Sequence, residues 1–382
     1  MPIITSEIKE FVFDDLKVME EHFKNEKQAV KYLPISEFVN RNSIFMEDEF
    51  YGRGTNWVSF NKEGFISFCN LIDIPQAFIS DIKKEGLCSE VINNYITNEN
   101  VNKKLMNNRF VVDTSDKKTV LGVVSNTYRE YSNFKLLNDI KSKLKTLSGE
   151  FKIEKSYEIN TRLYFRLLSE DIKSSNITDL LGTVDDISQV GLQICNSMIG
   201  NSSVSISYFI KRLICANGLI VETSNTSKRV IHSGNSYTFA ERLDKATSSA
   251  IEGINSVVDM IEALTGIPFK PKKLVDAGGA DLVYNIISLK DYEIEKRKKL
   301  KGDLQLEYDK DLISRYPTEY AGELSSQVFN SPYRDNPTMF DFINVFTEYA
   351  QNKDINIERR IDIERKTGGL VSWIIGNMGK LM

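Results

Sequence analysis

Between Val184 and Glu222 apolar and polar residues alternate in two runs, and this period constrains the chain more than any other feature. Val190, Leu192 and Ile194 form one run; Val204, Ile206 and Tyr208 form the next. A two-residue period puts one set of side chains on one face of a strand, so each run needs a sheet with a buried face. Gly191 and Gly200 interrupt the pattern, and Asn196, Ser197 and Asn201 suit a turn between the runs. Ile214, Cys215, Leu219, Ile220 and Val221 supply a third apolar group, broken at Asn217 and Gly218. The expectation is two or three short elements meeting at tight turns in the core of one domain.

The flanking segments extend this core. Ile153, Tyr157, Leu163, Phe165 and Leu167 alternate over two further strands, which can join residues 187–222 in one antiparallel sheet. Phe239, Leu243, Ala246, Ile251, Ile254, Val257, Val258, Ile261 and Leu264 then recur at helical spacing. This stripe predicts one long packed helix over 238–265, stopped by Gly266 and Pro268. The fold class is therefore α+β, an antiparallel sheet core with a long packed helix and a helical C-terminal region. The expected divisions are a mixed, largely helical region over 1–108, the α+β core over 109–265 and a mostly helical region over 266–382.

Before the core, Phe11, Val12, Phe13, Leu16 and Val18 fit a helix or an edge strand equally well. Phe65, Phe68, Cys69 and Ile72 predict a helix ended by Ile74 and Pro75, with a second helix carrying Phe78, Ile79 and Ile82. Residues 89–108 read as helical, and 109–124 as a hairpin. A helix through Leu136, Leu137, Ile140 and Leu144 follows, with Asn133 as its expected cap. After the core, Lys-rich residues around 284–299 suggest another helix. A helix over 337–351 has Asn336 or Thr338 to cap it. The apolar end, with Leu370, Trp373 and Ile375, must close the core or dock on a neighbouring subunit, so a homo-oligomer is expected.

Residue counts narrow the chemistry. With two histidines, a His-rich metal centre is excluded. His232 lies in Lys228–Gly234, where no nucleophile elbow surrounds it. The four cysteines have no close spacing of a zinc or redox motif. Asp185 and Asp186 are adjacent, so on a strand they would face opposite ways and not share a metal pair. Catalytic residues, metal ligands and cofactors are accordingly not assigned. No leader and no apolar run of about 18 residues is read, so a cytoplasmic protein without a membrane partner is expected.

A formal net charge of -4 excludes a surface basic all over, but it leaves room for a local basic groove. Arg and Lys interleave with aromatic residues at several points: Arg109, Tyr128, Arg129, Tyr131, Lys211, Arg212, Lys228, Arg229, His232 and Arg242. Cations can hold a phosphate backbone while aromatic rings stack on bases, so these residues form a candidate single-stranded DNA surface without sequence specificity.

Five stretches, in this order, carry a family resemblance. They are Phe65–Pro75, residues 121–133, residues 191–220, residues 228–234 and residues 336–351. The chain resembles the DUF932, or phage/plasmid-like, protein family over about 57–351. Where the family has Asn-Ser-Glu-x-Gly, this chain has Asn196, Ser197, Met198, Ile199 and Gly200, so Met198 stands in place of the acid. The family's Cys-x-Asn-Gly and His-x-Gly patterns are met by Cys215, Asn217 and Gly218, and by His232 and Gly234. The resemblance implies a phage- or plasmid-type accessory protein acting in recombination or strand annealing. The competing expectation is a non-enzymatic structural or regulatory protein that binds a host or phage protein.

Overall fold

The computed structural model describes residues 10–382 apart from 40–42, 47–48, 52–56, 76–77, 79–80, 83–84, 116–117, 146–150, 160–161, 175–187, 213–216, 224–228, 235, 288–301, 303–304, 306–337 and 353–354. The strands are β1 (Glu10–Phe13), β2 (Val30–Pro34), β3 (Ile44–Met46), β4 (Glu49–Tyr51), β5 (Trp57–Phe60), β6 (Asn108–Asp113), β7 (Thr119–Ser125), β8 (Phe151–Ile159), β9 (Arg162–Ser174), β10 (Ser188–Ser197), β11 (Ser205–Arg212) and β12 (Asn217–Val221). The helices are α1 (Leu16–Ala29), α2 (Lys62–Leu71), α3 (Cys88–Thr97), α4 (Glu99–Met106), α5 (Asn133–Lys145), α6 (Ser236–Glu252), α7 (Ile254–Thr265), α8 (Pro271–Asp276), α9 (Ala280–Ile287), α10 (Met339–Tyr349), α11 (Ile357–Gly376) and α12 (Met378–Leu381).

Among the described residues the architecture is α+β with two sheets. The larger, in order β1-β8-β9-β10-β11-β12, is antiparallel throughout. Its register sets Leu192 opposite Tyr208, and Ile194 opposite both Ile206 and Phe165. These side chains share one face with Leu219 and Val221, and α6 and α7 cover it with Phe239, Leu243, Val257 and Ile261. Gly191 does not interrupt the strand. β10 runs through it, with a register shift against β9 between Gln189 and Gly191. Gly200 makes the turn before β11 at φ 78°, a left-handed conformation that a glycine adopts without strain.

The helix expected over 238–265 is two helices. α6 ends at Glu252 and α7 starts at Ile254, with Gly253 between them. The apolar stripe continues across the break, so periodicity alone does not reveal it. The hairpin expected over 109–124 is present as β6 and β7, but it pairs with β2 and β5 rather than with the strands after Phe151. This second sheet has the order β2-β6-β7-β5-β4-β3, with β5 and β7 parallel. Phe11–Phe13 resolves as the edge strand β1, which pairs with β8. At the other sheet's edge, Asn93 of α3 accepts from the Phe45 N–H (2.7 Å) and donates to its carbonyl (3.1 Å), occupying both outward backbone groups of β3.

The second helix expected after Pro75, most of the Lys-rich segment around 284–299 and Asn336 lie largely or wholly outside the described residues. Thr338 caps α10 with a capping box. Its hydroxyl accepts from the Asp341 N–H (3.3 Å), and the Asp341 carboxylate accepts from the Thr338 N–H (2.7 Å). Thr338→Ala should lower stability by about 1 kcal/mol. A fall in the urea midpoint with unchanged slope checks this.

The apolar C-terminal stretch closes the chain's own core: Leu370, Val371 and Ile374 are buried with α6 and α7. That removes the reason for which self-association was expected. Among the described residues, no helix is long and apolar enough to cross a membrane.

Candidate nucleic-acid interface

Two connecting segments meet where the sheets adjoin. One follows β7 and carries Tyr128, Arg129 and Tyr131; the other precedes α6 and carries Arg229 and His232. Each is tied down by backbone bonds. The Arg129 N–H donates to the His232 carbonyl (2.9 Å), and Val204 and Val230 exchange bonds of 3.0 and 2.8 Å. The Tyr128 ring stacks on His232 at 4.9 Å and on Tyr32 at 6.0 Å. The Tyr128 hydroxyl donates to the Ser197 carbonyl (2.9 Å) and that of Tyr32 to the Met198 carbonyl (2.8 Å). Burial pushes both phenols well above their ordinary range, so both stay neutral donors.

Six of the ten expected residues gather here: Arg109, Tyr128, Arg129, Arg229, His232 and Arg242. They are not equally available. Arg109 donates to the Glu130 carboxylate (2.6 Å) and the Tyr128 carbonyl (2.7 Å), and lies over the Tyr32 ring. His232 is only 5% exposed, so it backs the surface and cannot reach a phosphate as placed. Tyr131 lies beside them but is buried, bonded to Asp139 and packed on Phe239, so it cannot stack on a base as placed. Arg242 is exposed, with its guanidinium on the Ser233, Ile231 and Thr238 carbonyls. Arg129 and Arg229 are exposed. Lys211 and Arg212 lie at the far end of β11 from Val204, about 23 Å away at the rise of a strand. There Lys211 pairs with Glu154 at 2.7 Å. Lys228 and the Arg212 side chain are outside the described residues.

Two residues not read from the sequence complete the face. Ile231 is 60% and Tyr237 76% exposed, each beside the arginine-bearing segment. Tyr237 lies in the first turn of α6 but off the Phe239–Leu243 stripe, and that off-stripe position is the signal that could have found it.

Behind the face runs a buried polar chain. His22 and Glu26 lie one turn apart on α1, and His22 Nε2 meets Glu158 of β8 at 2.6 Å. Asn133 donates to Glu26 (3.2 Å) and Glu158 (3.4 Å) and accepts from Asn196 (2.7 Å). Asn196 Oδ1 meets His232 Nε2 at 3.0 Å, and His232 Nδ1 meets the Arg129 carbonyl at 3.1 Å. Asn133 is thus not the cap it was expected to be. Ser132 takes that place, its hydroxyl accepting from the Lys135 N–H (3.3 Å). Burial, then the neighbouring Glu158, hold the Glu26 carboxyl well above its usual range. Burial draws both histidines down; the Glu26 charge partly offsets this at His22, and the Arg129 carbonyl at His232. Among the described residues, no group of three His, Cys, Asp or Glu is placed to hold a metal ion.

The sequence-family model described as a domain of unknown function, DUF932, matches residues 120–368, well over half of the chain. The chain belongs to the DUF932 family. No curated protein and no solved structure matches it. The DUF932 match takes in both connecting segments and β8 to β12, and it ends at Gly368 within α11. Met198, which stands where the resemblance implies an acid, is buried among Val30, Val111, Leu121, Val124 and Ile199. An unpaired carboxylate there would be desolvated, so the methionine suits the apolar junction of this chain.

Proposed function

We propose that this DUF932 protein binds single-stranded DNA without sequence specificity, through the face carrying Arg129, Arg229, Arg242, Ile231 and Tyr237. The carrying observation is Tyr237, a large aromatic ring left 76% exposed in the first turn of the helix that also carries Arg242. Exposed rings beside cations suit stacked bases and a tracked backbone, and stacking tolerates any sequence because every base has a π-face. The narrower face replaces the ten-residue surface expected from sequence, since His232 and Tyr131 are buried and Lys211 is paired at a distance. A role in recombination or strand annealing extends this reading.

Fluorescence anisotropy with a labelled single-stranded oligonucleotide tests it. Binding should weaken steeply with salt, and Tyr237→Ala should cost about 1–3 kcal/mol, roughly 5- to 150-fold in affinity. Each arginine removed should flatten the salt slope by about 0.7. Absence of binding at about 50 μM protein in low salt ends the proposal, because non-specific binding shows in that range. Capture of a protein partner that survives nuclease and high salt, with no DNA binding, would favour the regulatory alternative.

A further inference from the structure

The donor and acceptor count around His232 does not close for a neutral ring. A neutral imidazole has one N–H. Nδ1 faces the Arg129 carbonyl oxygen, which can only accept. Nε2 faces Asn196 Oδ1, and the orientation of that amide is fixed independently. Its Nδ2 lies 3.2 Å from the Tyr131 carbonyl, another acceptor, so the NH₂ must point there and the oxygen must point to His232. Both ring nitrogens therefore meet acceptors. A neutral ring would set a bare lone pair against an oxygen at a buried position.

The rest of the chain has the same polarity. Asn133 donates to the Glu26 and Glu158 carboxyls and accepts from Asn196, whose oxygen faces His232 Nε2. The two amides are aligned head to tail, with their oxygens toward the ring and acid groups at the far end. Such alignment strengthens each acceptor in turn.

The other neighbours decide little. Tyr128 stacks on the ring as a neutral phenol, and Phe239 of α6 lies 5.4 Å away. The Arg242 guanidinium is tied to the Ser233 carbonyl, and Arg109 is neutralised by Glu130. Tyr131 is engaged with Asp139, and His22 with Glu158. Burial draws the His232 pKa down, and against it stand two acceptors, one on each ring nitrogen, of which a neutral ring can meet only one; the geometry is taken to outweigh the burial.

We propose that His232 is a buried imidazolium that clasps the Arg129 segment to β10, so that losing its proton loosens the face carrying Arg129 and Arg229. The proton is then kept beyond the pH, about 6.5, at which a free histidine releases its own. The clasp is closed below that value and is lost as pH rises through the folded-state titration. The DNA consequence rests on the function proposed above; the clasp itself does not.

Long-range proton–nitrogen NMR spectra of the ¹⁵N-labelled full chain test it directly. The chain has two histidines, so a His22→Gln sample assigns both. At about pH 7 both His232 nitrogens should carry protons, while a free histidine would be mostly neutral. As the ring titrates at higher pH, exchange at the Val204 and Val230 amides should quicken by about tenfold or more. A single N–H on His232 at about pH 7 overturns the proposal. Asn196→Asp should raise the titration, and Asn196→Leu should lower it by about one pH unit or more; no movement in either overturns it as well. Oligonucleotide anisotropy on the two sides of the titration separates the readings. A doubly protonated ring without DNA binding keeps the clasp and rejects the interface. A neutral ring with DNA bound keeps the interface and rejects the clasp.

Discussion

Glu364→Ala should remove about 3–5 kcal/mol of stability, because it leaves the Arg166 guanidinium buried without its counter-charge. Arg166 of β9 and Glu364 of α11 form an ion pair with side chains 4% and 0% exposed, across 198 residues of chain. The pair is completed on every side. Arg166 Nε donates to Gln193 (2.7 Å), and its guanidinium lies 4.3 Å from the Phe209 ring centre and 5.3 Å from that of Tyr157. Gln351 donates to the other Glu364 oxygen at 3.4 Å. Without Glu364 these contacts remain but the charge is uncompensated in a dry site. The double replacement Arg166→Met with Glu364→Leu should regain most of the loss, since a packed apolar pair avoids both desolvation costs. Urea denaturation of the three proteins measures this. A loss under about 1 kcal/mol for Glu364→Ala would show that the pair does not fasten α11 to the sheet.

That pair also marks where sequence reading stops. The alternation of Val190, Leu192 and Ile194 was legible because one sheet face is fully apolar, and strand parity shows such a face locally. Arg166 and Gln193 occupy the opposite parity, which reads as a solvated face. They are buried because α11, nearly two hundred residues away, covers them. Periodicity carries no information about which distant helix returns to a sheet. The same limit applied at Asn133, whose partners Glu26 and Glu158 lie 107 and 25 residues away. As a polar residue before a helix it suited a cap, and only the fold shows it inside a buried chain. At the candidate interface the basic and aromatic residue types were legible, but their exposure was not. His232 and Tyr131 belong to the interior, and Tyr237 belongs to the surface.

Gly368→Ala should be at least as damaging as loss of the ion pair, while Gly369→Ala should be harmless. Both glycines lie within α11, where glycine is disfavoured by about 1 kcal/mol relative to alanine. Two adjacent glycines in a twenty-residue helix therefore call for a packing reason. Gly368 supplies one: a Cβ there would lie 1.7 Å from the Ile220 carbonyl oxygen and 2.6 Å from its carbon. The obstacle is the backbone of β12, which cannot swing aside as a side chain can. Ile220 is held in register with Phe209, so the strand would have to shift against β11 or the helix would have to lift. Lifting α11 would also separate Glu364 from Arg166 one turn earlier on the same helix. Overpacking with loss of that pair points to about 3 kcal/mol or more. At Gly369 nothing lies within 4 Å of the added carbon, so alanine should be neutral or stabilise by up to about 1 kcal/mol through helix propensity. Thermal and urea melts of the two variants give the contrast from neighbouring positions. Equal stability for Gly368→Ala and Gly369→Ala would mean that the helix does not rest on the β12 backbone.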